Sequence, residues 1–186
     1  PPPQRHGRVL LCETGGDGVT DQHDGQAFVR LPTDPDDRIH EDQPTREEVL
    51  DWWVERFGID REYIAEFTYW EKGRGKIWAF HADTESPVRV EGLGMSVLRT
   101  RGDHWKPTTN AVQRFGHRAE KNVIELTRAE AEAFVAGTDQ DVDWDGDWGY
   151  LIASHEIAGD TEPLGVGLYL HGELRSQIPK GRRRDL

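Results

Sequence analysis

Among 186 residues there is one cysteine, Cys12, and one methionine, Met95. A single thiol cannot close a disulfide framework or build a thiolate zinc site, so disulfide scaffolds and cysteine zinc modules are excluded. Cys12 has no second cysteine and no basic neighbour to activate it, so a structural or incidental role is expected rather than a nucleophile. Lysine is also scarce, with five Lys beside 18 Arg. Long apolar runs are missing too. No stretch approaches the roughly 18 residues of a membrane-spanning helix and no signal peptide is visible, so the reading is a soluble, cytoplasmic protein with no membrane partner.

Catalytic signatures are equally thin. The eight histidines show no H-E-x-x-H spacing, which leaves a zinc hydrolase unsupported. The Gly15-Gly16-Asp17-Gly18 turn has no strand-to-helix context for a dinucleotide or a P-loop, and no G-x-S-x-G is present. The acidic run Asp139–Asp147 lacks the glycine and terminal Glu spacing of an EF-hand, so a solvated loop is expected. No catalytic residue, metal or cofactor is expected from these patterns.

Aromatic residues are plentiful: seven Trp, six Phe and four Tyr supply core material for one domain or two small ones. Acidic residues are abundant as well. The 35 acids outnumber the 23 bases, giving a net charge of −12. An acid-rich, lysine-poor chain suits a proteome adapted to molar internal salt, as in a halophilic archaeon, where negative surface serves solubility and says little about ligand. The position of the positive charge is then the informative quantity. Met95–Glu125 holds six bases (Arg99, Arg101, Lys106, Arg114, Arg118, Lys121) against three acids, net +3. His171–Arg184 holds five (Arg175, Lys180, Arg182, Arg183, Arg184) against one, net +4. Two basic islands in an acidic chain point to an anionic partner.

Local patterns divide the chain into three parts. Residues 1–44 form an N-terminal extension rich in Pro, Gly and Asp, with short strands at Val9–Cys12 and Ala27–Leu31 around a Thr14–Asp24 loop. Residues 45–90 read as a small α/β module. Thr45 and Glu48 make a capping box before a helix whose apolar positions are Val49, Leu50, Trp53, Val54 and Phe57, closed by Gly58. Asp60 caps a second short helix, and Thr68–Glu71 with Lys76–His81 form a hairpin. Residues 91–186 are more β-rich. Strands are expected at Gly92–Arg101, Asn122–Leu126, Gly149–His155, Pro163–His171 and Glu173–Pro179. A helix begins near Pro107–Thr109, and a second capping box, Thr127 with Glu130, opens a helix closed by Gly137. The fold class expected is α+β, a small α/β module followed by a partly open β-barrel with short helices.

Three stretches exceed what solubility needs. Trp105–Asn110 crowds polar and basic groups at a helix start, which serves either phosphate binding or ordinary capping. Gly165-Val166-Gly167 admits either a close-approaching ligand or a tight bend. Ile178–Arg184 places a glycine among cations, as phosphate contact requires.

The order of the C-terminal motifs is familiar. Leu164-Gly165-Val166-Gly167, Gly172-Glu173-Leu174-Arg175 and Pro179-Lys180-Gly181-Arg182-Arg183 resemble the end of the PUA-like domain of RsmF-type RNA cytosine-5 methyltransferases, the Sun family. Trp148–Ile152, Lys106–Gly116 and Lys121–Leu126 are similar to that domain type as well, so the likeness spans roughly 90–184, with a weaker echo of a pre-PUA module over 45–90. Asp24–Leu31 is similar to the last strand of the methyltransferase domain, with one Phe where the family has two. No methyl-donor glycine motif and no Pro-Cys nucleophile accompany these segments. The resemblance implies a non-catalytic RNA-binding protein acting on rRNA or tRNA in modification or ribosome biogenesis. The second reading is a targeting or accessory subunit, or a remnant, of an RNA cytosine-5 methyltransferase that acts through protein contacts with a separate methyltransferase. Phosphate contacts are expected from Arg99, Arg101, Lys106, Arg114, Arg118 and Lys121 on one side of a groove and Arg175, Lys180, Arg182 and Arg183 on the other, with Trp105 stacking on a base.

Overall fold

The two capping boxes fold as expected. In the computed structural model, which describes residues 27–184, Thr45 accepts the backbone N–H of Glu48 while the Glu48 carboxylate accepts that of Thr45. Helix α1 (Arg46–Phe57) follows and buries Val49, Leu50, Trp53 and Phe57 along one stripe before Gly58 ends it at φ +64°. Thr127 and Glu130 repeat the arrangement for α4 (Arg128–Ala136), which Gly137 closes at φ +86°. Asp60 accepts from Glu62 N–H to start α2 (Arg61–Ala65), and Thr108 accepts from Ala111 N–H to start α3 (Thr109–Phe115). The strand expected at Val9–Cys12, the Thr14–Asp24 loop and Cys12 itself lie outside the described residues.

The strands form two five-stranded sheets, so the fold is α+β. The first is antiparallel throughout, in the order β1 (Phe28–Arg30), β2 (Thr68–Lys72), β3 (Lys76–Phe80), β4 (Met95–Arg99), β5 (Lys106–Pro107). The second has the order β6 (Val123–Glu125), β8 (Gly149–Ile157), β9 (Asp160–Leu170), β10 (Glu173–Ser176), β7 (Gln140–Asp141), with β6 parallel to β8 and the other pairs antiparallel. This sheet is open, with β6 and β7 as its edges.

Three elements differ from the local reading. The Gly92–Arg101 strand forms over Met95–Arg99 and hydrogen-bonds into the first sheet, beside β3. Lys106 and Pro107 are the edge strand of that sheet rather than the opening of α3. Proline suits an edge strand, where no ladder donor is needed on the outer side. Part of the acidic run is also ordered, because Gln140–Asp141 pairs with Leu174 and Glu173.

Helix α3 lies against both sheets, packing on β4 and β9. Its Ala111, Val112 and Phe115 join one buried cluster that draws Val49, Trp53 and Phe57 from α1, Ile77 and Val97 from the first sheet, and Ile152 and Val166 from the second. A separate cluster under α4 holds Phe134, Leu151, Leu174 and Ile178. The two sheets therefore share a core. The end of α1 reinforces the junction: Phe57 O accepts from the backbone N–H of Glu120 at 2.9 Å and of Lys121 at 3.1 Å, and Asn122 Nδ2 donates to Arg56 O at 2.6 Å.

Gly94, at φ +64°, brings β4 alongside β3. A Cβ there would sit 2.1 Å from Ala79 O, which belongs to the β3 backbone and cannot turn aside. Gly94→Ala is therefore expected to cost about 2 kcal/mol or more, combining left-handed backbone strain with a forced shift of the β3–β4 ladder. The check is the unfolding free energy in a denaturant titration.

Candidate nucleic-acid interface

The pairing of β3, β4 and β5 makes a row of cations. Lys76 stands opposite Arg99, and Arg99 opposite Lys106. Directly opposed residues of antiparallel strands project from the same face, so three like charges lie side by side, an arrangement that destabilises a sheet on its own. Lys76 and Arg99 are exposed and Lys106 is half-buried. Burial first, and the Arg99 guanidinium second, lower the Lys106 pKa from its ordinary value. Its Nζ donates to Gln177 Oε1 at 2.5 Å and lies 6.0 Å from the centre of the Tyr150 ring.

That bond reaches the C-terminal basic segment. Gln177 follows β10, and its backbone N–H donates to Val166 O at 3.0 Å. Beyond it, Lys180–Arg182 forms one 3-10 turn, closed by Arg182 N–H donating to Pro179 O at 2.7 Å. Arg182 Nη1 donates to Asn110 Oδ1 at 2.5 Å, at the start of α3. Lys106 and Arg182, one from each basic window, thus each bond to a residue of the other window's region, Lys106 to Gln177 and Arg182 to Asn110, and Arg99 stands opposite Lys106. Lys180 is exposed in the same turn as Arg182.

The remaining expected residues are placed elsewhere or are occupied. Arg183 clamps the chain end: its Nε donates to Ile178 O at 3.3 Å, and its side chain covers Gly137, where a Cβ would approach within 2.3 Å. Arg175 is ion-paired with Glu173 at 2.5 Å. Arg101 sits at the turn between β2 and β3, with its backbone against Gly75. Arg114 lies in the last turn of α3, at the opposite end from Asn110. Past that end, Arg118 lies 4.1 Å from the centre of the Tyr63 ring, and Lys121 packs over Gly58. These three are not brought to the Arg182 side. Trp105 is half-buried and packs against the shared core.

The glycines of β9 have a packing role. A Cβ on Gly165 would meet Ile178 Cδ1 at 2.5 Å, and one on Gly167 would meet Leu174 Cδ1 at 2.5 Å. At the start of α3, the Thr108 hydroxyl already takes the Ala111 N–H at 3.1 Å, which is ordinary capping. Lys76 and Gln177 complete the cationic face and were missed in the sequence, because their part in it depends on strand register and on a bond between residues 71 apart along the chain.

The fold and this face define an α+β protein of two open sheets with one shared core and a cationic strip across their junction. Over residues 121–184 the chain matches the family described as the methyltransferase RsmF PUA domain, which supports a PUA-like region of the RsmF/Sun type there. The match holds β6, α4 and the rest of the second sheet, together with Lys180 and Arg182. Residues 15–94 match a family of unknown function, DUF7122. Between the two lie β4, β5 and α3, the elements that join the sheets. No curated protein matches the chain. Among the described residues no cluster of His, Cys, Asp and Glu is arranged to hold a metal, and no helix is long and apolar enough to cross a membrane.

Proposed function

We propose that the protein binds RNA without modifying it, acting on rRNA or tRNA in RNA modification or ribosome biogenesis. The single observation that carries this reading is the row Lys76–Arg99–Lys106, bonded through Lys106 to Gln177 of the C-terminal basic segment. Three cations directly opposed across a sheet cost stability, and an anionic ligand offsets that cost. The PUA-like match supports the same reading, and it concerns a PUA domain, not a methyltransferase catalytic domain. In a cell of molar salt the Debye length falls to about 3 Å, so long-range attraction is lost and close Arg contacts carry the binding. As a targeting subunit the protein would present this RNA to a separate methyltransferase, a second reading favoured by Trp148, which is 60% exposed.

Lys180 and Arg182 reach the RNA from the second sheet. Changing both to Ala is expected to weaken RNA binding by roughly tenfold to a hundredfold in a filter-binding assay, at about 1 kcal/mol or somewhat more per charge-assisted contact. Unchanged affinity would remove these two residues from the interface.

A further inference from the structure

A cleft of about 750 Å³, lined in part by Tyr150, opens between α1, the loop before β5 and the start of β8. Three of the seven tryptophans, Trp52, Trp105 and Trp148, line it with Tyr150. Trp52, Trp105 and Tyr150 are half-buried and Trp148 is mostly exposed. His104 meets the Trp148 ring edge-on at 5.4 Å, which holds that indole at the mouth.

The rim is acidic beyond the background of the chain. Five of the fourteen lining residues are carboxylates (Glu48, Asp51, Glu55, Asp103 and Asp147), against 35 acids in 186 residues overall. The one lining arginine, Arg56, feels the charge of Asp147 alone among these carboxylates. Arg56 gives its Nε to Tyr150 O at 2.9 Å and its Nη2 to Tyr150 O at 2.7 Å and Trp148 O at 3.2 Å, so it anchors the β8 backbone. Glu48 and Asp51 already pair with Arg38 and Arg61. Glu55 and Asp103 form no ion pair among the described residues.

Indole faces beside carboxylates without a cationic partner suit one chemistry, an organic cation. A guanidinium is weakly hydrated, stacks flat on aromatic rings and donates to carboxylates in a fork. A phosphate chain would meet the carboxylates and be repelled, which sets the chemistry of this cleft apart from that of the cation row. We propose that the cleft docks a basic segment of a partner protein, receiving an arginine side chain among Trp52, Trp105 and Trp148 with Glu55 and Asp103 as counter-charges. The inference does not rest on RNA binding.

The test uses the full chain and a labelled peptide of alternating Arg and Gly, with the neutral citrulline peptide as control, read by fluorescence anisotropy in about 1 M KCl, where only close contacts survive. The arginine peptide is expected to bind and the citrulline peptide to bind at least roughly tenfold more weakly. Trp148→Ala, at an exposed position that the fold does not need, and the double change Glu55→Gln/Asp103→Asn are each expected to cost about tenfold. Lys180→Ala/Arg182→Ala is expected to leave peptide affinity unchanged, so failure of the RNA reading and failure of this one are distinguishable. The proposal is overturned if the arginine peptide does not bind, if citrulline serves as well, or if Trp148→Ala leaves its affinity intact. It is equally overturned if an RNA oligonucleotide displaces the peptide and loses its own affinity in Trp148→Ala, which would make the cleft a base-stacking site.

Discussion

Trp53→Ala is expected to destabilise both sheets in one transition, by about 3–5 kcal/mol. Trp53 is fully buried on α1, and its ring lies 5.5 Å from Phe115 of α3, 5.6 Å from Phe57 and 5.0 Å from Trp52. The same cluster takes in Ile77 and Val97 of the first sheet and Ile152 and Val166 of the second. Removing the indole leaves a void that touches residues of every layer, and a close-packed interior relaxes only partly around it. The cost is felt by the whole chain because the sheets share this core. For a chain of this size each kcal/mol lowers the melting temperature by roughly 2–4 °C, so a drop on the order of 10 °C is expected. The indole Nε1 is buried without a hydrogen-bond partner among the described residues. Trp53→Phe keeps an aromatic ring and removes that unsatisfied donor, and is expected to cost much less than Trp53→Ala. Thermal unfolding followed by circular dichroism and by tryptophan fluorescence checks both. Two separated transitions, with only one moved by Trp53→Ala, would show that the sheets do not unfold together.

What could be read from the chain alone follows the range of the interactions. Thr45 with Glu48 and Thr127 with Glu130 are contacts three residues apart, so the motif carries its own geometry and both capping boxes form. The hairpin Thr68–Lys72 with Lys76–Phe80 is local in the same sense. The partners of β4 and β5 are not local. Nothing around Met95–Arg99 says whether it adds to the hairpin before it or the strands after it, and the shared burial of Val97 with Ile77 and Trp53 decides the matter. The parallel pairing of β6 with β8 is hidden for the same reason, since α4 and β7 intervene. The candidate site divides likewise. Charge counting found both basic windows, but it could not separate Arg99 and Lys106, which join the row that bonds Gln177, from Arg114, Arg118 and Lys121 at and beyond the other end of α3. It also passed over Lys76, whose importance is a matter of register. The aromatic cleft was legible only as a supply of tryptophan. Trp52, Trp105 and Trp148 come from three distant segments that α1, β5 and β8 bring together.

The cation row makes a second prediction, in which stability and affinity move in opposite directions. Changing Lys76, Arg99 and Lys106 together to Gln removes three like charges held opposite one another across β3, β4 and β5. Relief of two directly opposed pairs is expected to raise the unfolding free energy by a few tenths of a kcal/mol per pair. Gln at position 106 keeps a polar end near Gln177, so the link to the second sheet is not simply cut. RNA affinity is expected to fall by roughly a hundredfold, at about 1 kcal/mol for each phosphate no longer held by a cation. The dependence of binding on salt should flatten as well, by about 0.7 in the log–log slope for each cation that had displaced a counterion from a single strand. Unfolding titrations and filter binding across a salt series measure the two quantities on the same protein. Cations kept for the fold would show a loss of stability on removal, whereas cations kept for a ligand show a gain. A variant that is less stable, or that binds RNA with unchanged affinity and salt slope, would take the row out of the interface and leave Lys180 and Arg182 to account for binding alone.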